Sequence, residues 1–415
     1  MKINFLLICV LLTFQIASAQ DNFFVEIGPM PGHYTDSTES FWFLLNSKQS
    51  KNQNLVNFNE HIEKLKNKKG VKDLKFKIEE LLEERKIAKV LILKEKNNFK
   101  KDTLTFLTGS CAFQYPFPLN AGGKRKRLNR IFSTMAAEKA DFMVWTGDNV
   151  YYLAGQWNSY KSMVKENLRT RLRKNYKEFL ESCPQYATWD DHDFGPNDSD
   201  GRFKLKDTAF SVFKKFWMNP YHGTDEQNGV FCHFSQGDCD FFILDSRYHC
   251  DKKNKDKKLI GDTQLEWLKN QLKASKANFK FVFSGTQFIP IDQYGETWAR
   301  YPDEHKDFFD FVEKAAIKGL VFISGDRHYS ELNKKNREKN YPFYEFTCSP
   351  LTSFTDPAYT KNNPIRIKDT SIRDQNYGRI KIFNEGQERV CRIETFDTKG
   401  KFIWKYDIKL SELQN

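Results

Sequence analysis

Short apolar runs that break off in polar or ionisable clusters recur between about residues 103 and 330. Leu104-Thr105-Phe106-Leu107 ends in Gly109-Ser110-Cys111, and Asp141-Phe142-Met143-Val144-Trp145 ends in Gly147-Asp148. Gln185-Tyr186-Ala187-Thr188-Trp189 ends in Asp190-Asp191-His192-Asp193. Phe241-Phe242-Ile243-Leu244 ends in Asp245-Ser246-Arg247, and Phe281-Val282-Phe283 in Ser284-Gly285-Thr286-Gln287. Leu320-Val321-Phe322-Ile323 ends in Ser324-Gly325-Asp326-Arg327-His328. Between them, Leu128 to Ala140, Thr263 to Ala277 and Asp307 to Ile317 have helical periodicity. Strands alternating with helices predict an α/β sandwich with much parallel pairing. Ligands in such sheets bind beyond the carboxyl ends of the strands, where each of these clusters sits.

The flanks read differently. Residues 20–100 form an expected small β-rich N-terminal domain, preceding a main domain over 101–415. Phe23 to Ile27 and Ser40 to Leu45 read as strands flanking a Gly/Pro turn at Gly28 to Gly32. Lys72 to Ala88 reads as a charged helix and Lys89 to Leu93 as a further strand. At the other end, Arg379 to Phe383, Arg389 to Phe396 and Phe402 to Ile408 alternate as a β meander.

Met1-Lys2, an apolar stretch over Ile3 to Ile16 and then Ala17-Ser18-Ala19 make a signal peptide cleaved after Ala19, so the chain is expected to be secreted or periplasmic. No later stretch of about 18 apolar residues predicts a membrane span. Losing Cys9 with the signal leaves an odd number of cysteines, hence at least one thiol outside intramolecular disulfides. The net charge of +12 is spread over several Lys-rich stretches with no nucleic-acid-binding motif, which suits solvated faces and mild attraction of anions. No internal repeat is visible.

Cys111, Asp148, Tyr151, Asp191, Asp326 and His328 together offer a thiolate, three carboxylates, a phenolate and an imidazole. Thiolate and imidazole suit transition metals, and carboxylates also suit hard cations such as calcium. A phenolate and a thiolate on one metal favour its ferric state, because both are anionic donors. Asp190-Asp191-His192-Asp193 places four ionisable groups in a row after an apolar strand, which repel unless a cation or solvent relieves them. The order of residues does not separate Asp190 from Asp191 as the ligand. Gly-x-Ser-x-Gly, Walker A, His-Glu-x-x-His and Gly-x-Gly-x-x-Gly patterns are absent. The other histidines lack a comparable setting and read as structural or surface residues.

Taken in order, Gly109-Ser110-Cys111, Gly147-Asp148-Asn149-Val150-Tyr151, Trp189-Asp190-Asp191-His192-Asp193 and Gly325-Asp326-Arg327-His328 resemble the alkaline phosphatase D (PhoD-like) family, a branch of the calcineurin-like metallophosphoesterases. Asp240 to Tyr248 is similar to the family's Leu-Asp-x-Arg segment, and Ile260 to Leu268 to its Gly-x-x-Gln-x-x-Trp-Leu segment. The resemblance covers about residues 105 to 335 and rests on the order and spacing of the motifs together. It implies a four-layer αββα sandwich and hydrolysis of phosphate esters with ferric iron and calcium, other divalent metals also being compatible. Carried over by position, Cys111 and Tyr151 would ligate iron, with Asp148 bridging to the second metal and Asp191 completing that second site. Asp326 and His328 would supply the last ligand pair. His192 would be the catalytic residue near the leaving group, and Arg247 would bind the substrate phosphate.

The expected function is that of a secreted phosphohydrolase in which a metal-bound hydroxide attacks phosphorus in line. A phosphodiesterase or phospholipase D-like activity at the same site is the alternative. A reading from another class is a secreted metal- or anion-binding protein without turnover. Oligomeric state is not legible.

Overall fold

Leu74, Phe76 and Ile78 stand two residues apart, the period of a strand, within a stretch whose charge suggests a helix. The computed structural model, which describes residues 23–48, 56–95, 102–115, 128–290, 295–356 and 363–414, resolves the ambiguity. Strands β1 (Phe24–Tyr34), β2 (Thr38–Asn46), β3 (Val71–Leu82) and β4 (Arg85–Lys94) form an antiparallel sheet in the order β1-β2-β4-β3, with α1 (Phe58–Lys66) between β2 and β3. The helix expected over Lys72 to Ala88 is therefore a hairpin, and the reason is pairing. Leu74, Phe76 and Ile78 face Ile92, Val90 and Ala88 across the ladder, and pack beside the apolar face of α1. Glu83, at φ 54°, turns the chain between the two strands.

The Gly/Pro turn expected at Gly28 to Gly32 is likewise not a turn. β1 runs through it with register shifts after Val25, Ile27 and Pro31, and the reversal comes later, where Thr35 N donates to Thr38 O at 2.9 Å. As an edge strand, β1 tolerates prolines and bulges that a central strand would not. The sheet buries both faces. Phe41, Phe43 and Leu45 cover α1, while Trp42 and Leu44 join the main body's core. Trp42 Nε1 donates to Lys215 O at 2.6 Å, and Gly28 N to Glu181 Oε1 at 2.8 Å. The predicted signal peptide lies outside the described residues.

The main body continues with β5 (Leu104–Gly109), α2 (Arg130–Ala137), β6 (Phe142–Thr146), α3 (Tyr160–Arg171), α4 (Lys174–Ser182), β7 (Gln185–Thr188), α5 (Asp191–Phe194) and α6 (Lys206–Phe216). After these come β8 (Cys232–Gln236), β9 (Cys239–Ile243), α7 (Asp262–Ala274), β10 (Phe279–Ser284), α8 (Pro302–Lys314), β11 (Leu320–Ser324), β12 (Glu331–Lys335) and β13 (Phe343–Thr347). The chain ends in the meander β14 (Asn376–Glu385), β15 (Glu388–Asp397) and β16 (Phe402–Lys409). Two six-stranded sheets result, ordered β16-β15-β14-β5-β6-β7 and β12-β13-β11-β10-β9-β8. β5, β6 and β7 run parallel in one, and β9, β10, β11 and β13 in the other.

The inner faces of the sheets meet through aromatic rings. Phe106 of β5 lies 5.3 Å from Phe241 of β9 and 5.2 Å from Phe281 of β10, centroid to centroid. α2, α3, α4 and α6 cover the outer face of the first sheet, and α7 and α8 that of the second. The layers are thus helix, sheet, sheet, helix, as expected. Phe106 is completely buried between the sheets, so Phe106→Ala is expected to cost about 3–5 kcal/mol, read by denaturant unfolding. A loss below about 1 kcal/mol would show that this interface tolerates a cavity at its centre. Among the described residues no helix is long and apolar enough to cross a membrane.

Candidate metal centre

Each polar cluster follows a parallel strand, and adjacent parallel strands end at one rim. β5 leads to Cys111, β6 to Asp148 and Tyr151, β7 to Asp190–Asp193 and β11 to Asp326 and His328. Bringing the two rims together needs close backbone approach. A Cβ on Gly325 would lie 2.4 Å from Thr146 O and 2.7 Å from Ser110 Cβ, so a side chain there would wedge the sheets apart. Gly147, at φ 89°, passes so close to Asp190 that a Cβ would sit 2.6 Å from that residue's own. Cys111, Asp148, Asp326 and His328 all adopt φ between 54° and 64°. Four non-glycine residues in this sparsely populated region at one place mark a site whose geometry the surrounding fold enforces.

Two groups of donors result, with the atoms of each within 4.8 Å of one another: Cys111 with Asp148 and His328, and Asp148 with Asp191 and His192. Asp148 belongs to both. Cys111 Sγ lies 3.6 Å from Asp148 Oδ2 and 3.6 Å from the backbone oxygen of Asp326. Tyr151 adjoins the first group, its hydroxyl 3.4 Å from His328 Nε2, and its ring stacks on His192 at 4.3 Å between centroids. The carboxylate of Asp326 falls in neither group.

The chain separates the two aspartates left equivalent in the sequence. Asp190 points to Arg247, whose Nε donates to Oδ1 at 2.5 Å, while Asp191 turns to the donor group and accepts from Asp198 N at 2.6 Å. Asp193 takes no part in either group. It accepts from Asn149 Nδ2 at 2.7 Å and from Asp190 N at 2.7 Å, tying β6's loop to β7's.

Arg247 is buried, and its guanidinium is shared between Asp190 and Glu296, with Ser199 O accepting from Nη1 at 3.2 Å. Asp245 does not neutralise it. That carboxylate accepts from Trp189 Nε1 at 2.7 Å and from the backbone of Val230, Arg247 and Tyr248, building the turn that carries the arginine.

Two further residues escaped the sequence reading. Ser349, fully buried after β13, donates to Cys111 Sγ at 3.2 Å and accepts from His328 N at 3.0 Å. It links the loops that carry two of the donors. Its signal was weaker than that of the other loops, because the run from Phe343 to Thr347 is interrupted by Glu345 before it reaches Cys348-Ser349. Glu296 follows no such run and carries no signal.

The charges bear on what this arrangement can hold. Burial, then the charges of Asp191, Asp190, Asp193 and Asp326, pushes the Asp148 carboxyl well above its ordinary range. Burial and the neighbouring Glu296 raise Asp326 to about 7. Burial raises Cys111 and Tyr151 as well, and lowers His328 to about 4. For Asp191, burial is outweighed by Arg247, His192 and the Asp198 N–H, and its carboxyl stays below the usual value. So many acidic groups buried together outnumber the cations near them, chiefly Arg247 with Lys252 and Arg327, and a bound cation would relieve the rest. Sulfur, imidazole and carboxylate oxygen within one coordination radius form a donor set that fits a transition metal, and the carboxylate side also fits a harder ion. All seven described cysteines are free and buried, so Cys111 is not distinguished from the others by being unpaired. What sets it apart is its donor neighbours.

Similar proteins share this arrangement of strands. A sequence model of the family described as PhoD-like phosphatase matches residues 110–395. Alkaline phosphatase D of Bacillus subtilis (strain 168) is 24% identical over 253 residues, 48% of this chain and 43% of that protein, so the chain aligns with less than half of that relative's length. Among solved structures, one described as PhoD superposes with a TM-score of 0.65 at 16% identity, covering 94% of this chain and 93% of that one. Purple acid phosphatase PPD1 from yellow lupin (Lupinus luteus) seeds superposes with a TM-score of 0.60 at 10% identity, covering 92% of this chain and 74% of that one. These likenesses show a common metallophosphoesterase fold. The matched segment takes in well over half the chain and begins just before Cys111, so the chain belongs to the PhoD-like phosphatase family.

Proposed function

We propose that this protein is an exported metal-dependent phosphohydrolase acting on phosphate esters. The observation that carries this reading is the pair of donor groups sharing Asp148 at the rim of the sandwich. Cys111, Tyr151 and His328 with Asp148 would hold ferric iron. Asp148 with Asp191 would hold the second ion, calcium or another divalent metal, with Asp326 supporting the pair from the loop after β11. Bound cations of this kind acidify water and polarise phosphoryl oxygen.

The remaining work falls to the protein's own groups. His192 lies beside Asp148 and Asp191, with its ring fixed against Tyr151, and is placed to deliver a proton to the departing oxygen. Arg247 lends positive charge to the phosphate side. Its bonds to Asp190 and Glu296 hold the guanidinium in one orientation, which makes its field at the site preorganised.

The test is phosphate release from monoester and diester substrates by the purified protein, before and after metal removal, together with elemental analysis and a visible spectrum. Ferric iron bound by thiolate or tyrosinate would be coloured. Metal binding without turnover on any ester would instead favour a secreted binding protein.

His192→Ala separates a proton donor from a ligand. Turnover should fall by about 10²–10⁴-fold with metal content unchanged. Loss of one equivalent of metal would reassign His192 to the second metal site, a position its nearness to Asp148 and Asp191 permits.

A further inference from the structure

Phe354 is the most exposed large apolar side chain among the described residues, at 62%. A lone exposed phenylalanine needs no explanation. This one stands edge-on against His328, with ring centroids 4.3 Å apart at 75°. His328 also meets Tyr151 through its Nε2, and Tyr151 meets the ring of Phe113 at 5.1 Å. Phe113 in turn meets Tyr115 at 4.6 Å.

The segment carrying Phe354 is held in place from both sides. Thr352 N and Ser353 N donate to Cys111 O at 3.2 and 3.0 Å, Thr352 Oγ1 donates to Phe113 O at 2.9 Å, and Asp356 N donates to His328 O at 3.1 Å. The backbone therefore fixes an apolar ring in water beside the donor groups, where hydrophobic burial alone would fold it away.

We infer that Phe354 is a specificity residue and that the substrate is a phosphate ester whose alcohol part carries an aromatic ring. The inference rests on the phosphohydrolase reading and names its substrate class. With phosphorus at the donor groups, the organic part of the ester would extend toward solvent past the exposed ring that lies against His328, which is Phe354. A flat ring covering Phe354 removes apolar surface from water and gains the offset or edge-to-face contact that aromatic pairs prefer. An aliphatic group gains the first of these without the second.

Three phosphonates that cannot be hydrolysed test this by calorimetry on the metal-loaded protein: phenyl-, butyl- and methylphosphonate. Phenylphosphonate should bind roughly fivefold more tightly than butylphosphonate, and butylphosphonate more tightly than methylphosphonate. Phe354→Ala should erase the preference for phenylphosphonate while leaving methylphosphonate binding unchanged, and Phe354→Tyr should retain it. In turnover, the kcat/KM ratio of benzyl to ethyl phosphate, esters of alcohols of comparable acidity, should fall by the same factor in Phe354→Ala. Survival of the ratio in that variant, or equal binding of the butyl and phenyl compounds, overturns the inference and leaves the hydrolase reading intact. If no phosphonate binds and no ester is cleaved, the hydrolase reading itself fails and takes this inference with it.

Discussion

On the proposed metal reading, Cys111→Ala is expected to strip one metal equivalent from the protein and lower turnover by more than about 100-fold, with the fold retained. The thiol is fully buried within 3.6 Å of Asp148 Oδ2 and accepts a hydrogen bond from Ser349 Oγ, so its loss deletes a donor and leaves Ser349 without that partner. The volume removed is one sulfur atom, a truncation in the ordinary range of about 1 kcal/mol, which separates a chemical effect from unfolding. Elemental analysis and the visible spectrum report the metal, circular dichroism reports the fold, and phosphate release reports activity. Full activity with unchanged metal content would remove Cys111 from the centre.

The second large effect should come from Asp148→Asn, because Asp148 alone belongs to both donor groups. Both metals should be weakened together and turnover should fall by about 10³-fold or more. The same change should raise the melting temperature of the metal-free protein above that of the metal-free parent. Asp148 is buried among Asp190, Asp191, Asp193 and Asp326, and a neutral amide relieves that repulsion without changing shape. With metal present, the order of stability should reverse, since the parent gains binding energy that the variant cannot. Scanning calorimetry with and without metal measures both halves. A metal-free variant less stable than its parent would mean that the carboxylate serves the fold rather than a cation.

The central architecture was readable because parallel strands buried on both faces appear as unbroken apolar runs, and because a run that stops in glycine and aspartate stops at a sheet rim. Phe281 to Phe283 and Leu320 to Ile323 are such runs, and the structure pairs them in parallel. β3 was misread for the opposite reason. Exposed on one side, it carries Lys75 and Lys77 between Leu74, Phe76 and Ile78 and Glu79-Glu80 after them, and charge density obscured a period of two. Ser349 follows a run interrupted by Glu345, so it lacks the unbroken apolar form that marks the other loops.

The sequence alone determined the residue types that could meet: one thiol, several carboxylates and two imidazoles, each placed just past an apolar run and therefore at an edge of the fold. Tertiary structure alone decided which of them do meet. Asp190 and Asp191 are neighbours in the chain, but one turns to Arg247 and the other to Asp148 and His192. Arg247 and Glu296 are far apart in sequence and share a charge in space. The reason is geometric: strand order at a sheet rim sets the distances among loops within a few ångströms, and no local pattern of residues encodes that order.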